Sequence, residues 1–158
     1  LGCGTGLLGR ALRDRCEVLV GVDLSPNMLA KAREAGGYDE LVASDLADFL
    51  RARGDERFDL FVAADVFIYV GDMREPFTLV ASRATPGALF AFSVESAEGD
   101  GFFLEKTGRF SHGHAYVEAT AIASGLTVLD ARDVVVRMER GVPIRGRIYL
   151  LKTAAAGA

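Results

Sequence analysis

LGCGTGLLGRAL, residues 1–12, sets glycine at Gly2, Gly4, Gly6 and Gly9 just ahead of a run of helix-forming residues. Two patterns overlap there. Gly4-Thr5-Gly6-Leu7-Leu8-Gly9 fits G-x-G-x-x-G, in which a pyrophosphate rests on a helix N-terminus. Gly2-Cys3-Gly4-Thr5-Gly6 fits G-x-G-x-G, in which bare backbone lets a bulky, uncharged part of a ligand press against the loop. Either pattern is also compatible with a plain tight turn from strand to helix. The rest of the chain decides between them.

Working outward, EVLVGVD (17–23), ELVASD (40–45), FDLFVAAD (58–65) and ALFAFSVE (88–95) are short apolar runs that each end on an acid. Near-continuous apolar runs of this length read as strands buried on both faces, the habit of a parallel sheet. Helical patterns separate them. SPNMLAKAREAGG opens with Ser25 as N-cap and Pro26 at the first helical position, and closes on Gly36 and Gly37. REPFTLVASRATPG has Pro76 in a first turn and Pro86-Gly87 punctuating its end, and HAYVEATAIASG runs to Gly125. Strand alternating with helix predicts βαβ units in a doubly wound sheet. LTVLDARDVVVRMERG and VPIRGRIYLLKT, the last long runs, predict an antiparallel hairpin at the sheet's edge.

At 158 residues the chain reads as one domain over 1–153, followed by a frayed tail over 154–158. Its net charge of −4 gives no electrostatic case for nucleic acid. Apolar runs such as LFVAADVFIYV are broken by acids and fall short of a bilayer span, and no stretch has the pattern of a signal peptide. Cys3 and Cys16 have neither CxxC nor zinc spacing, so a reduced cytoplasm is the expectation.

In an open α/β sheet, ligands bind outside the carboxyl ends of the strands. Asp23, Asp45, Asp65 and Glu95 all stand there. One such acid is most often a helix N-cap. A series of them behind a glycine loop favours a ligand site. Both glycine readings use Asp23 for ribose hydroxyls. Only the second has a use for Ser44-Asp45-Leu46, where a carboxylate can accept from an exocyclic amine and neighbouring amides can address a purine ring.

LGCGTG, GVDLSPNMLAKAR, ASDL and FDLFVAADVFIYV together resemble the successive motifs of class I S-adenosylmethionine-dependent methyltransferases. The resemblance extends over nearly the whole chain. Within the class it is most similar to small-molecule methyltransferases associated with tetratricopeptide repeats, through GRFSHGHAYVEATAIASGL ahead of the final hairpin. The resemblance implies a three-layer α/β/α Rossmann-like sheet with a C-terminal antiparallel hairpin, and S-adenosyl-L-methionine as cofactor. It places Gly2, Cys3, Gly4 and Gly6 under the methionine portion, Asp23 on the ribose, and Leu24 and Met28 against the adenine. Asp45 would accept from the adenine amine with Ser44 and Leu46 beside it, and Ala64 and Asp65 would lie near the sulfonium. Met28 could equally be core, as methionine on an amphipathic helix usually is.

The family's first strand would precede LGCGTG, so the sequence reads as N-terminally incomplete with that strand largely missing. A small-molecule acceptor is implied, with no nucleic acid or membrane partner, and a repeat region in a longer parent chain is the expected context. No metal is required, because His112 and His114 lack companions for a tetrahedral set. No catalytic base stands out. His112, His114 and Tyr116 are candidates, His114 being equally suited to open a helix, and Tyr69 and Arg109 are candidate substrate contacts or, respectively, core and solvated charge. Cys3 reads as a small loop residue, not a nucleophile. Two rival readings share these features: a nicotinamide-binding oxidoreductase, and a non-catalytic domain that keeps the fold for protein contacts.

Overall fold

The computed structural model describes residues 1–155, arranged as two compact units that divide between Gly54 and Asp55. In the first, β1 (Val20–Asp23) pairs in parallel with β2 (Glu40–Ala43), from Val20 opposite Glu40 to Asp23 opposite Ala43. Three helices accompany them, α1 (Leu7–Leu12), α2 (Pro26–Ala35) and α3 (Leu46–Ala52). The start and stop signals of α2 act as expected. Ser25 accepts from the Met28 N–H, Pro26 sits in the first turn, and Gly36 leaves the helix at a φ of 74°. α3 begins where the Asp45 side chain accepts from the Ala47 N–H, and it buries Leu46, Phe49 and Leu50. Gly9 and Gly21 are explained by packing. A Cβ on Gly9 would lie 2.3 Å from the Tyr38 ring, and one on Gly21 would lie 2.8 Å from it.

The second unit is organised around β4 (Ala84–Ala97). β3 (Phe58–Ala63) pairs with it in parallel over 60–63, and β6 (Phe110–Gly113) pairs in parallel with 95–97 further along. The other edge of β4 takes β8 (Val142–Thr153) antiparallel, and β7 (Leu126–Glu139) lies beyond it. A short antiparallel strand, β5 (Phe102–Leu104), closes the far edge on β6. Helices α4 (Arg74–Arg83) and α5 (His114–Ala123) complete the unit. Its core is aromatic: Phe67 and Phe77 meet Phe92 edge-on at 5.3 and 5.2 Å, and Tyr149 stacks on Phe92 at 5.2 Å.

Three features differ from the sequence expectation. β1 starts at Val20, and Val18 is 69% exposed, so the apolar run from residue 17 overstated the strand. Pro86-Gly87 does not end α4. The helix stops at Arg83, and the pair falls where the β3–β4 register shifts between Phe58 and Leu60, an irregularity that tolerates a proline without its N–H. The β5–β6 pair was not foreseen, because strands of three and four residues carry almost no periodicity. The final hairpin is as expected, turning through Arg140 and Gly141 at φ 49° and 81°, the left-handed pair that a two-residue turn requires. Of the expected tail, Ala154 accepts from the Gly87 N–H, while residues 156–158 lie outside the described residues. Among the described residues no helix is long and apolar enough to cross a membrane.

Gly146 marks a tight crossing in the sheet, where β8 passes between β4 and β7. A Cβ there would stand 2.3 Å from the Val94 carbonyl oxygen and 2.5 Å from Val136 Cγ1. Because one neighbour is backbone, relief requires moving a strand. Gly146→Ala should lower stability by about 1–3 kcal/mol, read as a lower urea midpoint at unchanged m-value. A midpoint equal to the wild type would show that the crossing can relax.

Candidate functional site

The parallel register of β1 and β2 brings two chain segments to one rim of the first unit. Asp23 lies opposite Ala43, and the Ser44 N–H donates to the Asp23 carbonyl at 3.2 Å. The glycine loop joins them there, since the Cys3 N–H donates to the Val22 carbonyl at 2.8 Å. Gly2, Gly4 and Gly6 hold φ of 62°, 53° and 85°, a left-handed series that side chains would strain. Asp23 fastens the loop to the strand end. Its Oδ2 accepts from the Gly4 N–H and its Oδ1 from the Ser25 N–H, both at 2.8 Å. An ionised carboxylate has about four acceptor positions, so capacity for a ligand's hydroxyls remains.

The surroundings suit a ligand that is part polar and part flat. A Cβ on Gly4 would meet nothing within 4 Å, so the loop's backbone faces open space. Leu24 is 71% exposed and Met28 38% exposed, which removes the reading of Met28 as core. Asp45 Oδ1 caps α3 through the Ala47 N–H at 2.7 Å, and Ser44 Oγ donates to the Asp45 carbonyl. Leu46 is buried in the unit's core, so its side chain is spent on packing and only its backbone is available to a ligand. Burial, and then the nearby Asp23 carboxylate, push the Cys3 thiol above its ordinary pKa, which leaves it protonated and unreactive.

In the second unit, Ala64 and Asp65 are exposed just beyond β3. Asp65 is one of two described non-glycine residues at positive φ, 59°. Its N–H donates to Ser93 Oγ at 2.9 Å, and its Oδ1 accepts from Arg137 Nη1 at 3.0 Å. Arg137 Nη2 donates to Glu95 at the end of β4. Arg109, a candidate substrate contact, is engaged by Glu139 at 2.5 Å, so it is neither a solvated charge nor an open anion receptor. Tyr69 is 69% exposed in a short 3-10 turn (Phe67–Tyr69) and is not core. Arg137, Glu139 and Ser93 were missed from sequence. The one signal was a break in alternation at DVVVRM, residues 133–138.

The three candidate bases have other work. His112 is 2% exposed, and its Nε2 stands 3.0 Å from both the Val70 and Gly71 carbonyl oxygens, which fixes the proton on that nitrogen. Its Nδ1 is buried and unpartnered among the described residues. The Tyr116 hydroxyl accepts from the Met73 N–H at 2.8 Å and donates to Asp72 Oδ1 at 3.2 Å. His112 and Tyr116 thus grip residues 70–73, His112 buried and Tyr116 half-buried. Arg74, above all, holds the Asp72 carboxyl well below the usual carboxylate range. His114 opens α5, with Nδ1 2.9 Å from the Tyr149 hydroxyl and Nε2 3.3 Å from Glu118. The two histidines therefore serve separate partners.

Residues 1–92, more than half of the chain, match the family described as a methyltransferase domain. Nodulation protein S of Rhizobium tropici is 28% identical over 75 residues, which cover 48% of this chain and 32% of that protein. The chain thus spans about a third of the length of the curated relatives it matches. The N-methyltransferase NodS of Bradyrhizobium japonicum WM9, crystallised with S-adenosyl-L-homocysteine, superposes with a TM-score of 0.72 at 21% identity, covering 96% of this chain and 74% of that one. A S-adenosylmethionine-dependent methyltransferase of Clostridium acetobutylicum gives 0.73 at 20% identity, covering 98% of this chain and 82% of that one. At these identities the likeness establishes a Rossmann-like α/β methyltransferase fold.

Burial lowers the His112 pKa below its ordinary 6.5, against the pull of the two carbonyls. The unfolded chain then binds the proton more readily than the folded one. Stability is fully present above the unfolded value and declines as pH falls through about 6.5 towards the lower folded value. The thermal midpoint should therefore be flat between about pH 8 and 7 and fall below about 6.5. His112→Gln should lower the whole curve and remove that slope. A slope that persists in the variant would belong to other groups.

Proposed function

The chain belongs to the methyltransferase-domain family, and from that premise we propose that it transfers a methyl group from S-adenosyl-L-methionine to a small-molecule acceptor. The observation that carries this reading is Asp23, fastened by two backbone amides beneath a glycine loop whose outer face is bare. The residues present suit the cofactor. Gly2, Cys3, Gly4 and Gly6 would lie under its methionine portion, Asp23 would take the ribose hydroxyls, and exposed Leu24 and Met28 would flank the adenine. Asp45 and Ser44, with the Leu46 backbone, would address the adenine edge, and Ala64 and Asp65 are assigned the sulfonium end.

When bound, the cofactor supplies a methyl group on sulfur that is activated for in-line displacement. The chain's own contribution is orientation and exclusion of water, with a base only where the acceptor must lose a proton. With His112, His114 and Tyr116 engaged elsewhere, the assigned residues favour a nucleophile that already carries a lone pair. The likeness to an N-methyltransferase supports a nitrogen acceptor as the first class to screen. A net charge of −4 speaks against a nucleic-acid acceptor. The similarity of residues 108–126 to repeat-associated small-molecule enzymes supports the same acceptor size.

Isothermal titration of the chain with S-adenosylhomocysteine, with NAD in parallel, tests the reading. Saturable binding of S-adenosylhomocysteine alone is expected. Asp23→Asn should weaken it about 10- to 100-fold, because one charged acceptor is lost to the ribose and one staple to the loop. Binding of NAD alone would replace this reading with that of a nicotinamide-dependent oxidoreductase.

A further inference from the structure

Arg137 is the one described residue that ties the hairpin to the ends of both β3 and β4. Its Nη1 reaches Asp65 at 3.0 Å and its Nη2 reaches Glu95, while Nε is buried with no partner among the described residues. An orphaned buried N–H loses its hydration without replacement, which is a cost to the fold. Packing alone would not select such an arrangement, whereas two carboxylates held at fixed places would. Asp65 has particular need of holding. It sits at a left-handed φ of 59°, and among the described residues its other anchor is its N–H on Ser93 Oγ.

The hairpin is shaped to deliver this contact. Its register shifts between Val135 and Arg137, so that Val136 has no partner on β8 and Arg137 stands opposite Ile144. A bulge adds a residue to one strand and re-aims the side chains beyond it. Gly146 on β8, pinched between the Val94 carbonyl and Val136, lets β8 pass closely between β4 and the bulge of β7 at this point. Glu95, opposite Gly146, is the anchor, being 8% exposed, and Asp65, 51% exposed at its side chain, is the group held out at the rim.

We propose that Arg137 is a positioning residue for methyl transfer, acting through Asp65: it bridges Glu95 to Asp65 and fixes the Asp65 carboxylate at the carboxyl end of β3. This rests on the assignment of Asp65 to the sulfonium end of the cofactor. Arg137 itself touches neither cofactor nor acceptor.

Two readouts test it on the full chain, with Arg137→Met and Arg137→Lys. The first is hydrogen exchange at the Asp65 amide, which needs no cofactor. Arg137→Met should speed it at least tenfold while the amides of β4 stay protected, and Arg137→Lys should restore most of the protection. The second is S-adenosylhomocysteine affinity in a double-mutant cycle with Asp65→Asn. Each single change should weaken binding several-fold, and the double variant should be no weaker than Asp65→Asn alone. Wild-type exchange at Asp65 in Arg137→Met, or losses that simply add, would overturn the proposal. If Asp65→Asn binds like the wild type, the assignment of Asp65 fails instead. If the wild type itself does not bind, the cofactor reading fails, and unchanged exchange would then overturn the bridge as well.

Discussion

β4 is hydrogen-bonded along both edges, and the second unit follows from that constraint. One edge is shared in succession by β3 and β6, both parallel to it, and the other is taken by β8, antiparallel. A strand filled on both sides cannot slip, because a shift of one residue would turn its apolar side chains to the wrong face. Phe90 and Phe92, at 1% and 2% exposure, therefore stay in the aromatic core with Phe67, Phe77 and Tyr149. The fixed register also sets which residues emerge together at the carboxyl end. Glu95 leaves the strand beside Ser111 on one edge and Gly146 on the other. The charged group around Arg137 is a consequence of that placement.

The first unit solves the same problem on a smaller scale. Its two parallel strands present Asp23 and the segment after Ala43 together, and one carboxylate gathers the amides that the turns leave over. Backbone N–H groups at strand ends must find partners, and an acid placed there supplies them without a further strand. Asp45 does likewise for α3. These acids are structural fasteners, and a carboxylate that holds one or two amides still has lone pairs to offer, which is what their proposed part in cofactor binding draws on. At Asp23 and Asp45 a fastening role and a ligand role therefore do not exclude each other.

The features legible in the sequence are those that local chemistry writes. Ser25, Pro26 and Gly36 bound α2 through contacts within four residues, and Gly141 turns the hairpin at a left-handed φ that glycine adopts without strain. Asp23 and the glycine loop could be read together because only 19 positions separate the groups that meet. Pro86-Gly87 misled because the same dipeptide serves a helix end or a strand irregularity, and only the partner strand decides. His112 and Tyr116 stood out in the sequence, but the contacts they make did not. Their partners at residues 70–73 lie 41 to 44 positions away, with no pattern to announce them. Arg137 was missed altogether, since its contact with Asp65 spans 72 residues and depends on a bulge.

This division has a physical consequence for specificity. The groups assigned to the cofactor lie mostly on short turns whose geometry is set locally, so the chain can hold them constant while the rest varies. The groups around Asp65, Tyr69 and Arg137 are placed by long-range pairing, and each sits on a segment that a neighbouring element must hold: residues 70–73 by His112 and Tyr116, Asp65 by Arg137. A substitution in either holding element moves the segment that it holds. On the proposed assignment of Asp65 and Tyr69, specificity can change through residues that never meet the acceptor, because those residues decide where the ones that do are held.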